Sequence, residues 1–366
     1  MTPLKTARRI VIKTGSALIA KGGEARQEWI VRLAADIHAL RARGQEVILV
    51  TSGAIALGRD ALGPEKPRLL EEKQAAAALG QPRLMAALSE AFGRFNITTA
   101  QALLTLEDTE RRRRWLNARA TLKTLLASGA LPVINENDTV ATDEIRYGDN
   151  DRLAARVAQM SGADCLILLS DVDGLYTGDP RKDNTATHIP HLNALTTEHD
   201  AMAGEANTGS GGMATKLAAA RIAYAAGCAT AITEGDREHP VLAMEVGARA
   251  TWITPDSTAE AARRIWLRGH LTPEGSVFVD EGAAKALQQG SSLLPVGVTG
   301  LEGQFERGAA IAINGPTGDL LAKGISAYGS SDLGKIMGLQ TSDVERILGY
   351  KGRPAVIHRD DLVLEQ

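Results

Sequence analysis

The chain has 366 residues, of which 44% are hydrophobic, 23% charged and 4% aromatic, and its formal net charge is -3. That length suits one large α/β domain with a smaller companion, and the composition is that of a globular chain, not a disordered one. The small negative charge excludes a protein devoted to coating nucleic acid or an anionic membrane, since both draw on a large cationic surplus.

No stretch approaches the roughly 18 consecutive apolar residues of a membrane span, and Met1 to Thr14 lacks an apolar core followed by a small-residue cleavage site. A cytoplasmic location is expected. Cys165 and Cys228 sit singly in apolar segments, which predicts core residues, not a disulfide or a nucleophile. The seven His show no metal-ligand spacing, so any metal is expected to arrive on a phosphate ligand.

From residue 9 to about 260, short apolar runs alternate with amphipathic stretches, the rhythm of successive strand-helix-strand units. Strands are predicted at Arg9 to Lys13, Glu46 to Thr51, Leu131 to Asn135, Cys165 to Ser170 and Ala229 to Thr233. Helices are predicted at Trp29 to Arg43, Leu153 to Met160 and Met213 to Ala226. Together they predict a mostly parallel sheet covered by helices on both faces. In such sheets ligands bind beyond the C-terminal strand ends, where loop amides and helix N-termini converge on anions.

The first strand ends in Lys13-Thr-Gly15-Ser-Ala17, a cation beside a glycine turn through which backbone amides could approach a phosphate. The second runs into Thr51-Ser52-Gly53-Ala54, a hydroxyl and a close backbone ahead of a new helix. The third ends in Asn135-Glu-Asn-Asp138, followed by Gly148-Asp149-Asn150-Asp151 at a helix start. One Asp or Asn there can serve as an N-cap, but the whole set exceeds what capping requires. After the fourth strand comes Ser170-Asp171-Val-Asp-Gly-Leu-Tyr-Thr-Gly-Asp-Pro180, a loop long enough to cover a nucleotide. The segment Ser210-Gly211-Gly212-Met213-Ala214-Thr215-Lys216 then leads into a helix, placing a lysine at the positive end of its dipole. It is neither a Walker A motif nor a dinucleotide fingerprint. The run Arg111 to Arg114 is flanked by Glu107, Asp108 and Glu110, which predicts a solvated helix face or a subunit contact.

Near Leu271 the rhythm changes to short β-like runs separated by Gly-containing turns, at Ser276 to Val279, Ala309 to Ile313 and Leu320 to Gly324. A domain boundary is expected there, giving domains 1–270 and 271–366.

In their order and spacing, Lys13-Thr-Gly15, Val-Thr-Ser-Gly-Ala-Ile, Pro-Val-Ile-Asn-Glu-Asn-Asp, Gly-Asp-Asn-Asp, Ser-Asp-x-x-Gly-Leu-Tyr-Thr-x-Asp-Pro and Gly-x-Gly-Gly-Met-x-Thr-Lys resemble the amino acid kinase family, and within it the members that phosphorylate glutamate. The tail, with Asp280-Glu-Gly-Ala283, Gly290-Ser-Ser-Leu-Leu-Pro295 and Ile347-Leu-Gly-Tyr350, resembles a PUA domain.

The resemblance implies a three-layer αβα sandwich with a mostly parallel central sheet, plus a small β-rich PUA-like domain. It implies ATP-dependent phosphorylation of the L-glutamate side-chain carboxylate to L-glutamyl 5-phosphate, the first step of proline biosynthesis. Lys13, Lys216 and Asp151 would be catalytic, and Ser52, Asp138 and Asn150 would hold glutamate. Lys13, Ser170, Asp171 and the segment Ser210 to Lys216 would contact ATP, with Gly15, Gly53 and Asp149 in support. Mg²⁺ would come with ATP, a homo-oligomer is implied, and proline feedback is common in the family, with Glu144 in the corresponding loop. Thr14, and Ala17 where a second hydroxyl is common, depart from the family's usual first motif.

Two other readings stay open at this level. Another phosphotransferase of the same family is one. The other is an RNA-binding protein acting through the PUA-like tail, although acidic residues there outnumber basic ones twelve to eight from Glu274 to Gln366.

Overall fold

The computed structural model describes residues 2–63, 67–141, 149–202, 212–262 and 272–365. The chain forms two compact units, Met1–Glu260 and Ala261–Gln366. The boundary expected at Leu271 falls outside the described residues.

The first unit is built on an eight-stranded sheet of β1 (Arg9–Thr14), β2 (Glu46–Val50), β3 (Thr99–Leu104), β4 (Leu131–Glu136), β5 (Cys165–Ser170), β6 (His191–Leu192), β7 (Ala229–Glu234) and β8 (Ala250–Ile253). The spatial order is β6-β8-β7-β5-β1-β2-β4-β3. All neighbours are parallel except β7 and β8. Six helices carry the rest of the argument: α1 (Gln27–Ala42), α2 (Ala54–Gly58), α3 (Leu70–Gly93), α4 (Arg112–Ala127), α5 (Asp149–Ser161) and α6 (Met213–Ala225).

Strand side chains alternate between faces, and both faces here are apolar. Ile10, Ile12, Val47 and Leu49 join α1 and α3 in one core, with Trp29, Leu33 and Phe92. Val11, Ile48, Val50 and Leu166 join α5 and α6 in the other, with Leu153, Val157 and Leu217. This double burial explains why the central strands read as continuous hydrophobic runs and not as alternating ones. Cys165 and Cys228 are buried, one in each core, and burial pushes both thiols well up, so neither is poised to react.

The five predicted strands form within a residue of their expected ends, and β3, β6 and β8 were not anticipated. β3 is an edge strand with no fully buried residue, and β8 is a four-residue antiparallel addition. Neither carries the long apolar run that marks a central strand. Helix α5 starts four residues before the predicted Leu153, which puts Asn150 and Asp151 in its first turn.

Helices α2 and α3 cross at backbone contact. A Cβ on Gly80 would lie 1.7 Å from the Ala54 carbonyl oxygen, and one on Gly58 would lie 1.9 Å from that of Ala76. Only two glycines allow that approach, and it fixes the turn Ser52-Gly53, where Gly53 has φ +108°. Gly80→Ala should therefore destabilise the first unit by about 1–3 kcal/mol, as overpacking does. Gly93→Ala, whose added Cβ meets nothing within 4 Å, serves as the neutral control. Equal denaturant midpoints for the two variants would disprove the close crossing.

The second unit holds a five-stranded sheet of β9 (Gly275–Val279), β10 (Val298–Glu302), β11 (Ala310–Asn314), β12 (Leu320–Ile325) and β13 (Leu362–Leu364), in the order β10-β9-β11-β12-β13. Only the β9 and β11 pair is parallel. Its own core contains Val277, Ile311, Ile313, Leu333 and Val356. Among the described residues, no helix is long and apolar enough to cross a membrane.

Candidate active site

The C-terminal ends of β1, β2, β4, β5 and β7 lie along one edge of the sheet. The register sets Lys13 opposite Val50, Thr14 opposite Leu169, Val50 opposite Ile134 and Glu234 opposite Ser170. The polar residues that follow these positions converge there because parallel strands in register end together.

The centre of this edge is a buried charge triad. Lys13 comes from the end of β1, Asp151 from the first turn of α5 and Lys216 from the first turn of α6. Lys13 Nζ lies 2.6 Å from Asp151 Oδ1, and Lys216 Nζ lies 3.3 Å from Asp151 Oδ2. The Thr215 hydroxyl lies 3.0 Å from Asp151 Oδ2 and 2.8 Å from the Gly212 carbonyl, two acceptors for one proton. Exposure is 7% for Lys13, 5% for Lys216 and 0% for Asp151. Burial works to raise the Asp151 pKa, but the ammonium groups of Lys13 and Lys216 outweigh it and hold the carboxyl below its ordinary value.

Two lysine ammonium groups thus converge on one carboxylate in a desolvated place, where each interaction with a charged group is strengthened. The arrangement is suited to receiving a phosphoryl group: Asp151 aims both lysines, and the N-terminal turn of α6 adds its dipole. Gly15 borders this region in an extended conformation that any residue adopts, at φ -77°, and a Cβ there would meet nothing within 4 Å. The chain does turn here, with the Leu18 N–H bonded to the Gly15 carbonyl at 3.1 Å as β1 gives way to the short helix Ser16–Ile19. Backbone geometry does not demand glycine here, and what its lack of a side chain leaves is open space beside Lys13.

A second polar set adjoins the triad through α5, since Asn150 precedes Asp151. Asn150 Nδ2 donates to Ser52 Oγ at 2.9 Å and approaches Asn135 Oδ1 at 3.5 Å. Asn135 Nδ2 donates to Gln81 Oε1 at 2.9 Å. Asn135 and Gln81 were not among the site residues expected from the sequence. Asn135 stood in a quoted motif, whereas Gln81 lies inside a helix and carries no local signal.

Other expected residues are spread along the edge. Asp138 is half-buried, two residues past the end of β4, and Asp149 opens α5. Ser170 is buried at the end of β5, with its hydroxyl 3.1 Å from Asp171 Oδ1. Asp171 itself is exposed and faces Arg181 at 3.7 Å. Gly212 is the N-cap of α6, while Met213 and Ala214 are half-buried in its first turn. Ser210, Gly211 and Glu144 lie outside the described residues. The loop after β5 is tied down by Arg249, whose Nη1 lies 3.1 Å from Asp173 Oδ2 and 3.0 Å from the Tyr176 hydroxyl.

The basic run Arg111 to Arg114 is matched locally, by Glu107 to Arg111 and by Asp108 to Arg114 at 2.9 Å. Glu110 reaches across to Arg152 of α5 at 3.2 Å. Among the described residues no group of three or more His, Cys, Asp or Glu is arranged to hold a metal ion.

Residues 8–234 match the model of the amino acid kinase family, which accounts for most of the first unit. The chain belongs to the amino acid kinase family. Residues 275–348 match the PUA domain. This amino acid kinase is similar over its full length to curated relatives. It is 55% identical to the glutamate 5-kinase of Paramagnetospirillum magneticum, with all of both chains covered. It is 53% identical to that of Rhizobium johnstonii, covering 99% of this chain and 94% of the relative. Solved structures to which the chain is similar include a carbamate kinase from Giardia lamblia bound to AMP-PNP (TM-score 0.49, 18% identity, 68% of this chain and 99% of that one). A UMP kinase from Ureaplasma parvum is another (TM-score 0.48, 17% identity, 68% and 98%).

Proposed function

We propose that this chain is an ATP-dependent kinase of the L-glutamate side chain, forming L-glutamyl 5-phosphate and ADP in the first step of proline biosynthesis. The observation that carries the chemistry is the buried triad, which brings two lysine ammonium groups together on Asp151 at the C-terminal edge of the sheet, where such folds receive anions. The choice of glutamate is supported by full-length similarity to glutamate 5-kinases.

A carboxylate acceptor, with a pKa of about 4.3, is already ionised at neutral pH and needs no general base. The difficulty is to bring two anions together and to stabilise the charge that builds on the leaving oxygen. Lys13 meets the transferring phosphoryl group, Lys216 the leaving side, and Asp151 holds both in place. Ser52, Asn150 and Asp138 hold glutamate, Asp138 through the α-ammonium group. Ser170, Asp171 and the segment from Ser210 to Lys216 contact the nucleotide. Mg²⁺ enters bound to the ATP phosphates and offsets their charge. All these roles fall within residues 1–270. A cytoplasmic location and a homo-oligomeric assembly belong to the same proposal, as does feedback by proline of the kind common in the family.

The direct test offers L-glutamate, L-aspartate and N-acetylglutamate separately with ATP and traps acyl phosphate with hydroxylamine. Hydroxamate is expected with glutamate, and its appearance with another acceptor instead would overturn the assignment. Asp138→Ala should raise the KM for glutamate by roughly 10-fold or more, the scale of losing a hydrogen bond to a charged group, and should leave the KM for ATP nearly unchanged. Equal effects on both substrates would remove Asp138 from the glutamate site.

A further inference from the structure

The direction of every hydrogen bond in the second polar set follows from one backbone group. The Glu136 N–H donates to Asn135 Oδ1 at 2.9 Å, so that atom must be the amide oxygen. The other end of Asn135 is therefore its NH₂, and it needs the acceptor that Gln81 Oε1 supplies at 2.9 Å. With Asn135 Oδ1 turned toward α5, Asn150 presents its NH₂ to both Asn135 and Ser52.

Two atoms are left over by this arrangement. Asn150 Oδ1 and Gln81 Nε2 are buried and have no hydrogen-bond partner among the described residues. Ser52 Oγ accepts from Asn150, which leaves its own proton to donate elsewhere. The open acceptor of Asn150 and the open donor of Ser52 match the ammonium and carboxylate of an amino acid, and buried polar atoms are rarely left unpaired without a purpose. The backbone crossing of α2 and α3 makes this set possible, because Gly80, which touches Ala54, immediately precedes Gln81.

We infer that Gln81 is a positioning residue for amino acid specificity: by accepting from the Asn135 NH₂ it holds in place the amide whose polarity the Glu136 N–H fixes, and so keeps Asn150 turned with its oxygen toward the substrate's ammonium group. The inference rests on the reading of Ser52 and Asn150 as the glutamate site. Without Gln81 the buried NH₂ of Asn135 has no acceptor and Asn135 must shift. The Asn150 amide is then free to turn over, because a serine hydroxyl can donate as readily as it accepts. The turned amide presents an NH₂ where an acceptor is required.

The test is steady-state kinetics on the full-length chain with Gln81→Met, Gln81→Glu, Asn150→Ala and the double variant Gln81→Met with Asn150→Ala. Gln81→Met keeps the volume and removes the acceptor. It should raise the KM for glutamate roughly 10-fold, the scale of one buried hydrogen bond, with kcat and the KM for ATP changed little. Gln81→Glu keeps the acceptor and should restore most of the affinity. The double variant should be no worse than Asn150→Ala alone, since both act on one contact. A glutamate KM unchanged in Gln81→Met but raised in Asn150→Ala would overturn the role of Gln81 alone. No effect of Asn150→Ala would instead overturn the assignment of the glutamate site. Additive effects, equal losses for both substrates, or failure of Gln81→Glu to rescue would mark Gln81 as structural only.

Discussion

Lys13→Met and Lys216→Met should each lower kcat by roughly 100-fold or more, the scale of losing one group that stabilises transition-state charge. Both lysines are buried against the same carboxylate, so each single variant still leaves Asp151 paired with the other ammonium group. Methionine also preserves most of the apolar stem that packs in the site. The variants should therefore fold, and their loss should fall on kcat more than on either KM. A purified, folded variant with near-normal kcat would remove that lysine from the mechanism. Lys13 and Lys216 come from elements about two hundred residues apart in the chain, and they meet only because β1 and α6 deliver them to one sheet edge.

Asp151→Asn is expected to act on stability as well as on turnover. Removing one partner of a buried ion pair leaves the other charge uncompensated, typically at about 3–5 kcal/mol, and here two lysines face the same carboxylate. The first unit should unfold at a clearly lower denaturant concentration at neutral pH, and kcat should fall because both lysines lose the carboxylate that aims them. The pH dependence has a definite sign. Asp151 has a depressed pKa in the folded state, so its contribution is present above the unfolded carboxyl value of about 3.9 and is lost as pH falls through the lower folded value. The stability difference between parent and Asp151→Asn should hold from neutral pH into the mildly acidic range and shrink only in strong acid, where the parent carboxyl also takes a proton. A variant as stable as the parent at pH 7 would show that the lysines do not depend on this carboxylate.

Helix packing within the first unit connects these local effects to the site. Gly58 and Gly80 bring α2 and α3 to backbone contact, and that contact holds the Ser52 turn and Gln81 beside the end of β4. A substitution at the crossing is thus expected to disturb the substrate side before it disturbs the triad, which hangs on α5 and α6 in the opposite layer.

Much of this could be read before any coordinates. Central strands buried on both faces produce unbroken apolar runs, so β1, β2, β4, β5 and β7 were visible in the chain. Ligand chemistry gathers at the C-terminal ends of such strands, so the lysine after Ile12, the Asn and Asp residues after Ile134 and the helix start at Met213 could be singled out. Edge and short elements escaped: β3, at one edge, is only half-buried, and β8 is buried but four residues long, so neither shows the long apolar run that makes a strand conspicuous. The pairing of side chains escaped as well. Periodicity specifies which residues face inward but not which partner each one meets, and Gln81 and Asn135 are 54 positions apart. The sharing of Asp151 by two lysines, the polarity of the Asn135 amide and the glycine crossing of α2 and α3 are consequences of packing, because each depends on atoms from separate elements approaching within hydrogen-bonding or van der Waals distance. Gly15 shows the same division in reverse: its presence beside Lys13 was plain in the chain, but only its extended backbone and the empty space at its Cβ reveal that the turn there does not require glycine and that what glycine provides is room.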